Sequence, residues 1–135
     1  MSGRFQIAIH ILTLLQSAGS ESLSSDYMAG SININPVLVR KELSHLRKAG
    51  LVQSKEGNKG GYVLAKPAKE ISMIDIYKAV EGAPWLGKAR NTPNPACAIG
   101  RQIGQHMNEL NTQIAVVVAE HLGKLTLEEF YNEFK

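Results

Sequence analysis

Residues 31–67, SININPVLVRKELSHLRKAGLVQSKEGNKGGYVLAKP, predict a cationic helix followed at once by a short hairpin. Asn35 is a favoured N-cap residue, and Pro36 suits the first helical position because an N–H there would have no helical partner. Gly50 can adopt the left-handed conformation that commonly ends a helix. The sequence therefore predicts a helix from residue 36 to about residue 49.

Two short β-type runs follow this helix, at residues 51–54 and 62–65. The connecting residues 55–61 include three glycines and one asparagine. These residue types can supply the positive φ angles of a tight hairpin tip, which also carries lysines. A helix small enough for the major groove of DNA, beside a basic hairpin, is the pattern of a winged helix-turn-helix.

The predicted helix has two different faces. At 100° per residue, Val39, Leu43 and Leu46 fall in a band about 60° wide, which indicates the core face. The residues predicted to point outward are mostly basic or small and polar: Val37, Arg40, Lys41, Ser44 and Lys48. Entry of a helix into the major groove requires a face of this kind.

Further helices are predicted on both sides of the quoted segment. Apolar residues recur at helical spacing within residues 4–17, and Ser24 or Ser25 can cap a second helix that Gly30 ends. Ser72, with an acidic residue three positions later, has the spacing of a capping box and predicts a fourth helix to about residue 81. The predicted fold class is mainly α with a small β-hairpin wing: a winged helix-turn-helix plus a long C-terminal dimerisation helix.

The C-terminal part of the chain has a different pattern. Prolines, asparagines and glycines predict an exposed loop before residue 97, and a long helix follows to about residue 122. In that helix, mostly apolar residues recur in steps of three or four, as in a two-helix packing seam: Ile99, Ile103, His106, Leu110, Ile114, Val117 and His121. We therefore expect a DNA-binding domain at 1–82, a hinge or sensor loop at 83–97, and a dimerisation helix with a C-terminal helix at 98–135.

The composition is that of a globular protein, with 135 residues of which 44% are hydrophobic and 20% charged. The net charge of +3 is mild, but residues 40–70 contain eight Lys or Arg against three Glu. The apolar run at the N-terminus is far shorter than the ~20 residues that span a bilayer, so we expect a cytoplasmic protein without a membrane partner. No catalytic Ser/His/Asp order or phosphate-binding loop stands out, and we expect no enzyme.

The order of these motifs resembles a known family. Residues 46–67 (LRKAGLVQSKEGNKGGYVLAKP), the capped helix at 72–82 (SMIDIYKAVEG) and a cysteine just before the long helix are similar to the Rrf-two (Rrf2) family of bacterial winged-helix transcriptional regulators. The resemblance implies a homodimer on a partly palindromic, double-stranded DNA operator. It also implies that the long helix of one subunit packs against the other subunit.

The chain departs from the cluster-binding members of that family. Those members have three cysteines in or beside the loop that corresponds to residues 87–97, whereas this chain has Cys97 alone. Loss of two thiolates should abolish ordinary [2Fe-2S] binding, so we expect no cofactor. The chain thus resembles the cluster-free, single-cysteine (YwnA-like) branch. Sensing of a cofactor through ligands other than cysteine is a weaker alternative.

Cys97 and the histidines leave several interpretations open. At a helix start, near Arg90 and Arg101, the Cys97 thiol can have a lowered pKa and act as a reversible redox sensor. Alternatively, it is a small apolar plug or the remnant of a cluster site, and the effector stays unidentified. The histidines have no metal-binding spacing, and we interpret them as packed or surface residues: His10, His45, His106 and His121.

The predicted DNA-binding site combines the cationic helix, which reads base edges or nearby phosphates, with the hairpin, which contacts phosphate or the minor groove. Its members are Asn35, Val37, Arg40, Lys41, Ser44, Lys48, Lys55, Asn58, Lys59, Gly60 and Gly61. The predicted function is a homodimeric, sequence-specific transcriptional regulator, acting as a repressor. The alternative is a winged-helix module whose basic face binds an acidic protein partner.

Overall fold

A computed structural model describes residues 3–57, 60–82 and 84–135. Helices predominate, and the two strands form one antiparallel hairpin. This confirms the predicted fold class, a mainly α chain with a small wing and a long helix near the C-terminus. In chain order the elements are α1 (Arg4–Ala18), α2 (Ser25–Ile32), α3 (Pro36–Lys48), β1 (Val52–Lys55), β2 (Gly61–Leu64), a 3-10 helix (Ala68–Glu70), α4 (Met73–Val80), α5 (Ala98–Gly123) and α6 (Leu127–Tyr131).

Helix α3 begins as its sequence predicts. The Asn35 side chain accepts a hydrogen bond from the N–H of Val37 at 2.8 Å, which satisfies one of the free donors of the first turn. Gly50, just beyond the helix, has a φ of 78°. The three predicted core residues of α3 are almost completely buried: Val39, Leu43 and Leu46.

A capping box starts helix α4, also as predicted. The Ser72 hydroxyl accepts a hydrogen bond from the N–H of Asp75 at 3.2 Å, and the Asp75 carboxylate accepts one from the N–H of Ser72 at 3.0 Å. The reciprocal bonds satisfy two backbone donors that an uncapped helix would leave free.

Helix α2 is longer than its sequence indicates. Ser24 caps it by accepting a hydrogen bond from the N–H of Tyr27 at 3.0 Å. The helix then continues through Gly30 to Ile32 and ends at Asn33, whose φ of 63° is left-handed. The prediction that Gly30 ends α2 is therefore wrong. Asparagine can take the left-handed conformation because its short polar side chain forms local hydrogen bonds there.

The wing is fixed to the helical part of the fold along one edge. Leu23, between α1 and α2, forms an antiparallel bridge with Tyr62 of β2. The N–H of Leu23 donates to the carbonyl of Tyr62 at 3.1 Å, and the N–H of Tyr62 donates to the carbonyl of Leu23 at 2.8 Å. Strand β2 thus lies between β1 and a strand-like third segment, so the hairpin does not depend on its own pairing alone.

Close packing, more than turn geometry, explains the glycines of the wing. Among the tip residues that the structure describes, only Gly57 has a positive φ, 115°. A Cβ at Gly60 would lie 2.6 Å from the carbonyl oxygen of Lys55, and a Cβ at Gly61 would overlap the carbonyl of Leu23. The prediction that all three glycines supply positive φ angles is therefore wrong. Gly60 and Gly61 are required where two backbones approach too closely for a side chain.

The chain forms two compact units, residues 3–81 with 122–135 and residues 82–121. In the first unit, Leu127 at the start of α6 is fully buried, and its N–H donates to the carbonyl of Ile71 at 2.8 Å. Helix α6 therefore packs in the same unit as α1–α4, whereas its place in the sequence indicated a grouping with the long helix. The cause is a long-range contact that leaves no local pattern.

The second unit consists of a loop and most of α5. The N–H of Leu86 donates to the side-chain oxygen of Asn111 at 2.8 Å, which fixes part of the loop to the helix. Helix α5 has no buried residue along its entire length. Within the described ranges, no helix is both long and apolar enough to cross a membrane.

We predict that Gly61→Ala destabilises the protein by about 1–3 kcal/mol, because the new Cβ forces the wing away from Leu23. Gly30→Ala is the matched control. It lies inside α2 with open space around its Cβ position, and should stabilise the fold by about 0.5–1 kcal/mol. Urea unfolding followed by circular dichroism measures both, and equal stability of Gly61→Ala and the wild type would contradict the packing role.

Candidate nucleic-acid interface

The solvent-facing side of α3 forms a basic strip with an apolar N-terminal end. Val37 is 60% exposed, and Lys41 and Lys48 are exposed along the same side, with Ser44 half-buried between them. Neither lysine forms an ion pair with any residue that the structure describes. The burial of the opposite side of α3 fixes this face toward solvent.

Arg40 lies at the junction of α3 and α2. Its Nη1 donates to the Ser25 hydroxyl at 3.2 Å and lies 3.9 Å from the Asp26 carboxylate. Both partners belong to the first turn of α2, so α2 restricts where this guanidinium can point. The structure thus places Arg40 at one edge of the strip, with a defined orientation.

Asn35 is primarily a helix cap in this structure. Its side-chain oxygen is occupied by the N–H of Val37, while the amide NH₂ has no partner in the described chain. The amide NH₂ of Asn35 therefore remains available as a donor at the N-terminal end of α3.

The wing supplies the remaining predicted residues. Lys55 ends β1 and is exposed, Gly60 is exposed, and Gly61 is half-buried against Leu23. Two further predicted residues, Asn58 and Lys59, lie outside the described residues. A hydrogen bond between α3 and the wing was not predicted from the sequence: the Arg47 guanidinium donates to the Ser54 hydroxyl at 3.3 Å. This bond links the last turn of α3 to strand β1.

A buried carboxylate on α3 was not predicted from the sequence. The Glu42 side chain is only 4% exposed and pairs with Arg4, the first residue of α1. Arg4 Nε lies 3.2 and 3.1 Å from the two carboxylate oxygens, and Arg4 Nη2 lies 3.1 Å from one of them. The same Nη2 lies 2.9 Å from Nδ1 of His45. The hydrogen bond to Glu42 raises the pKa of Arg4, despite partial desolvation.

One local feature could have pointed to this cluster. On the helical projection Glu42 lies only about 40° from Leu46, at the border of the core face. A carboxylate in that place needs a cationic partner, because an unpaired buried charge is very costly. The identity of the partner, 38 residues away in sequence, could not be deduced.

Cys97 immediately precedes α5 and is exposed in the chain. Its sulfur accepts a hydrogen bond from the N–H of Gly100 at 3.4 Å. This bond and a second one from the backbone of Ile99 lower the pKa of the thiol, because both favour the thiolate. The direction agrees with the sequence expectation, but the cause is the backbone and not Arg101, whose guanidinium donates to the carbonyl of Pro95.

Together, a capped helix with a basic outer strip, an adjoining wing and a long exposed helix define a winged-helix DNA-binding protein. A family model described as "Rrf2: Iron-dependent Transcriptional regulator" matches residues 1–133. The chain belongs to the Rrf2 family.

Individual relatives agree with this assignment. YwnA of Bacillus subtilis (strain 168), named as an HTH-type transcriptional regulator, is 33% identical over 132 residues, which are 98% of this chain and 97% of YwnA. The solved structure of CymR (YrzC), the global cysteine regulator of B. subtilis, is 27% identical, with a TM-score of 0.74 over 100% of this chain and 98% of CymR. T. potens IscR shares the fold, with 21% identity and a TM-score of 0.74 over 100% of this chain and 88% of IscR.

These comparisons establish the general function. The matching proteins are transcriptional regulators and not enzymes, so this chain is a DNA-binding transcriptional regulator without enzymatic activity.

The residues of this chain do not fit the iron centre that the family description implies. Cys97 is the only cysteine. Within the described residues, no group of three or more His, Cys, Asp or Glu side chains could hold a metal ion. An iron–sulfur cluster takes four protein ligands, mostly thiolates. The donor set of one chain is therefore too small for such a cluster.

We predict that Cys97 is alkylated by iodoacetamide with a rate–pH profile whose midpoint lies below that of an unstructured peptide of the same local sequence. The reason is the lowered pKa, which leaves more thiolate at a given pH. In denaturant, where the backbone hydrogen bonds are lost, the midpoint should return to the peptide value. A native profile that coincides with the peptide profile would exclude the backbone effect, and Cys97→Ser controls for labelling elsewhere.

Proposed function

We propose that this protein is a homodimeric, sequence-specific repressor that binds a partly palindromic, double-stranded DNA operator in the cytoplasm. One observation carries the proposal: α3 buries Val39, Leu43 and Leu46 and thereby directs Lys41 and Lys48 into solvent beside the wing. A helix with this orientation can enter the major groove without any rearrangement of the core.

Each part of the strip suits a different kind of contact. Lys41 and Lys48 lie within about 20° of each other on the helical projection and suit two neighbouring phosphates. Val37 offers an exposed apolar surface to a thymine methyl group near the N-terminal end of α3. Arg40, held by Ser25 and Asp26, suits the two acceptors of a guanine edge. Lys55, Asn58, Lys59 and the Gly60–Gly61 backbone are proposed to follow the DNA backbone.

The proposed homodimer rests on the apolar stripe of α5. Its members recur at helical spacing and remain 36–72% exposed in one chain: Ile99, Ile103, Met107, Leu110, Ile114 and Val117. An exposed apolar stripe of this length marks an interaction surface, and a second copy of the chain presents a matching stripe. Two-fold pairing then places two α3 helices toward successive major grooves about 34 Å apart.

Repression requires nothing beyond this arrangement, because a dimer on its operator excludes other proteins from the same DNA. The proposed control point is the segment before α5, where Cys97 is exposed and its thiol pKa is lowered. A peroxide oxidises the Cys97 thiolate to a sulfenic acid and is itself reduced to water or an alcohol, which leaves a polar group at the start of α5. We propose that this change alters the spacing of the two α3 helices and releases the operator.

We predict that Lys41→Ala and Lys48→Ala each reduce the slope of log K against log salt concentration by about 0.9, because each loses one phosphate contact. Binding is measured with an operator selected from a random duplex library. Lys124→Ala, an exposed lysine between α5 and α6, is the matched control and should keep the wild-type slope.

The outcome of this experiment also distinguishes the alternative function. If wild-type protein selects no duplex from the library, or if all three variants keep the wild-type slope, the basic face of α3 does not bind DNA. An acidic protein partner would then be the better explanation of the same charges.

We predict that Val117→Glu converts the dimer into a monomer, since it introduces a charge into the apolar stripe where the side chain is 62% exposed in one chain. Gln105→Glu, about 160° away from the centre of the stripe on α5, is the control and should remain dimeric. Sedimentation velocity measures both masses. A dimer of unchanged stability in Val117→Glu would remove α5 from the interface.

A further inference from the structure

We propose that His45 is an additional DNA-backbone contact: its Nε2–H donates a hydrogen bond to a phosphate oxygen, and Arg4 and Glu42 hold the imidazole in place for this bond. The proposal rests on the proposed DNA-binding function. It adds His45, which the sequence analysis interpreted only as a packed or surface residue. Arg4 and Glu42 act as positioning residues and do not themselves touch DNA.

Arg4 determines which nitrogen of the His45 ring carries the proton. A guanidinium group has N–H donors and no acceptor. Because Arg4 Nη2 lies 2.9 Å from Nδ1 of His45, Nδ1 accepts this bond and carries no proton. The proton of the neutral ring is therefore on Nε2.

A second contact of Nδ1 supports the same assignment. Nδ1 also lies 3.2 Å from a carboxylate oxygen of Glu42. A hydrogen bond from Nδ1 to Glu42 would require a proton on Nδ1. That proton would also lie close to the N–H group of Arg4, and two donors would then face each other. The contact with Arg4 is shorter, and Glu42 holds the guanidinium through three contacts of 3.1–3.2 Å. If the ring gains a second proton, Nε2 still carries one, so Nε2 is a donor in both states.

The Nε2 atom of His45 faces solvent. The contacts of the His45 side chain with the described residues all involve Nδ1, and the side chain is 33% exposed. Within the described chain, no buried side-chain nitrogen or oxygen lacks a partner. An unpartnered Nε2 must therefore be accessible, and it presents an N–H that the protein leaves unused.

The position of His45 on α3 adds it to the basic strip. On the helical projection His45 lies about 40° from Lys41 and about 60° from Lys48. Along the axis these residues are separated by about 6 Å and 4.5 Å. The three side chains thus follow one edge of the helix, at spacings that suit consecutive contacts with a single DNA strand.

The buried carboxylate explains how this donor is held. An imidazole on an exposed helix face normally samples several rotamers, and ordering it on DNA costs free energy. Here the imidazole is hydrogen-bonded to Arg4, and Arg4 forms an ion pair with Glu42, which belongs to the same helix α3 as His45. The Nε2–H is therefore fixed relative to the recognition helix before DNA arrives, in the way that partners of a metal-bound histidine orient its ring.

The test compares two replacements of His45 on the selected operator at pH 8. His45→Phe keeps a planar ring but has no donor, and should bind about tenfold more weakly with an unchanged salt slope, because a neutral donor displaces no counterion. His45→Gln can accept from Arg4 and still donate to phosphate, and should stay within about threefold of the wild type. Lys48→Ala serves as the control that changes both affinity and slope.

The positioning role is tested by the double replacement Arg4→Met with Glu42→Leu. Apolar side chains of similar size commonly preserve stability when a buried ion pair is removed. With the melting temperature maintained, we expect operator affinity to fall by about threefold or more, because the ring is no longer held. If the melting temperature is maintained and the operator affinity also equals that of the wild type, Arg4 and Glu42 do not position His45 for DNA binding, and this part of the proposal is overturned.

The outcomes separate this proposal from the proposed function. If wild-type protein binds the operator and His45→Phe binds it equally well, or if His45→Gln is as weak as His45→Phe, the donor role of His45 is overturned while the function stands. A long-range nitrogen–proton NMR spectrum tests the tautomer without DNA: protonated Nε2 and bare Nδ1 are expected, and the reverse pattern overturns the proposal even if DNA binding is confirmed.

Discussion

The burial of one side of α3 is the constraint on which the remaining features of the molecule depend. Val39, Leu43 and Leu46 are packed into the core and fix the rotation of the helix about its axis. Every other residue of α3 has its direction set by that rotation. Lys41 and Lys48 face solvent, Arg40 meets the first turn of α2, and Glu42 meets Arg4 below the surface. A basic sequence becomes a binding surface only because an apolar sequence on the same helix holds it in one orientation.

Features encoded by neighbouring residues could be predicted from the sequence. The Asn35 cap and the Ser72–Asp75 box involve residues two or three positions apart, so the pattern contains both partners. Contacts between residues far apart in the chain could not be predicted from it. Arg4 pairs with Glu42 across 38 positions, and the place of α6 is fixed by the contact of Leu127 with Ile71. Helix α2 continues through Gly30 because glycine can also adopt helical geometry. The local sequence could not show whether Gly30 or Asn33 would end the helix.

Membership of the Rrf2 family defines the fold and the general function of the protein. It does not define the environment of the single thiol beside α5, which depends on the residues of this particular chain. One thiol stands at the start of the long helix, and backbone N–H groups lower its pKa without help from a neighbouring cation. A single sulfur can form a sulfenic acid or a mixed disulfide, but it cannot provide the ligand set of a cluster. Under the proposed redox control, the regulator responds to peroxides or to oxidised small thiols through this one sulfur.

The packing of Leu127 on Ile71 has a consequence for synthesis of the protein. The unit that contains α1–α4 also contains residues 122–135, which the ribosome makes after nearly all of α5. While the nascent chain still lacks α6, the apolar site that Leu127 fills in the finished structure is open. The helix-turn-helix therefore reaches its final packing only after α6 has been made, so a polypeptide interrupted before α6, with an intact α3 and wing, would still be incompletely folded and a substrate for chaperones or proteases.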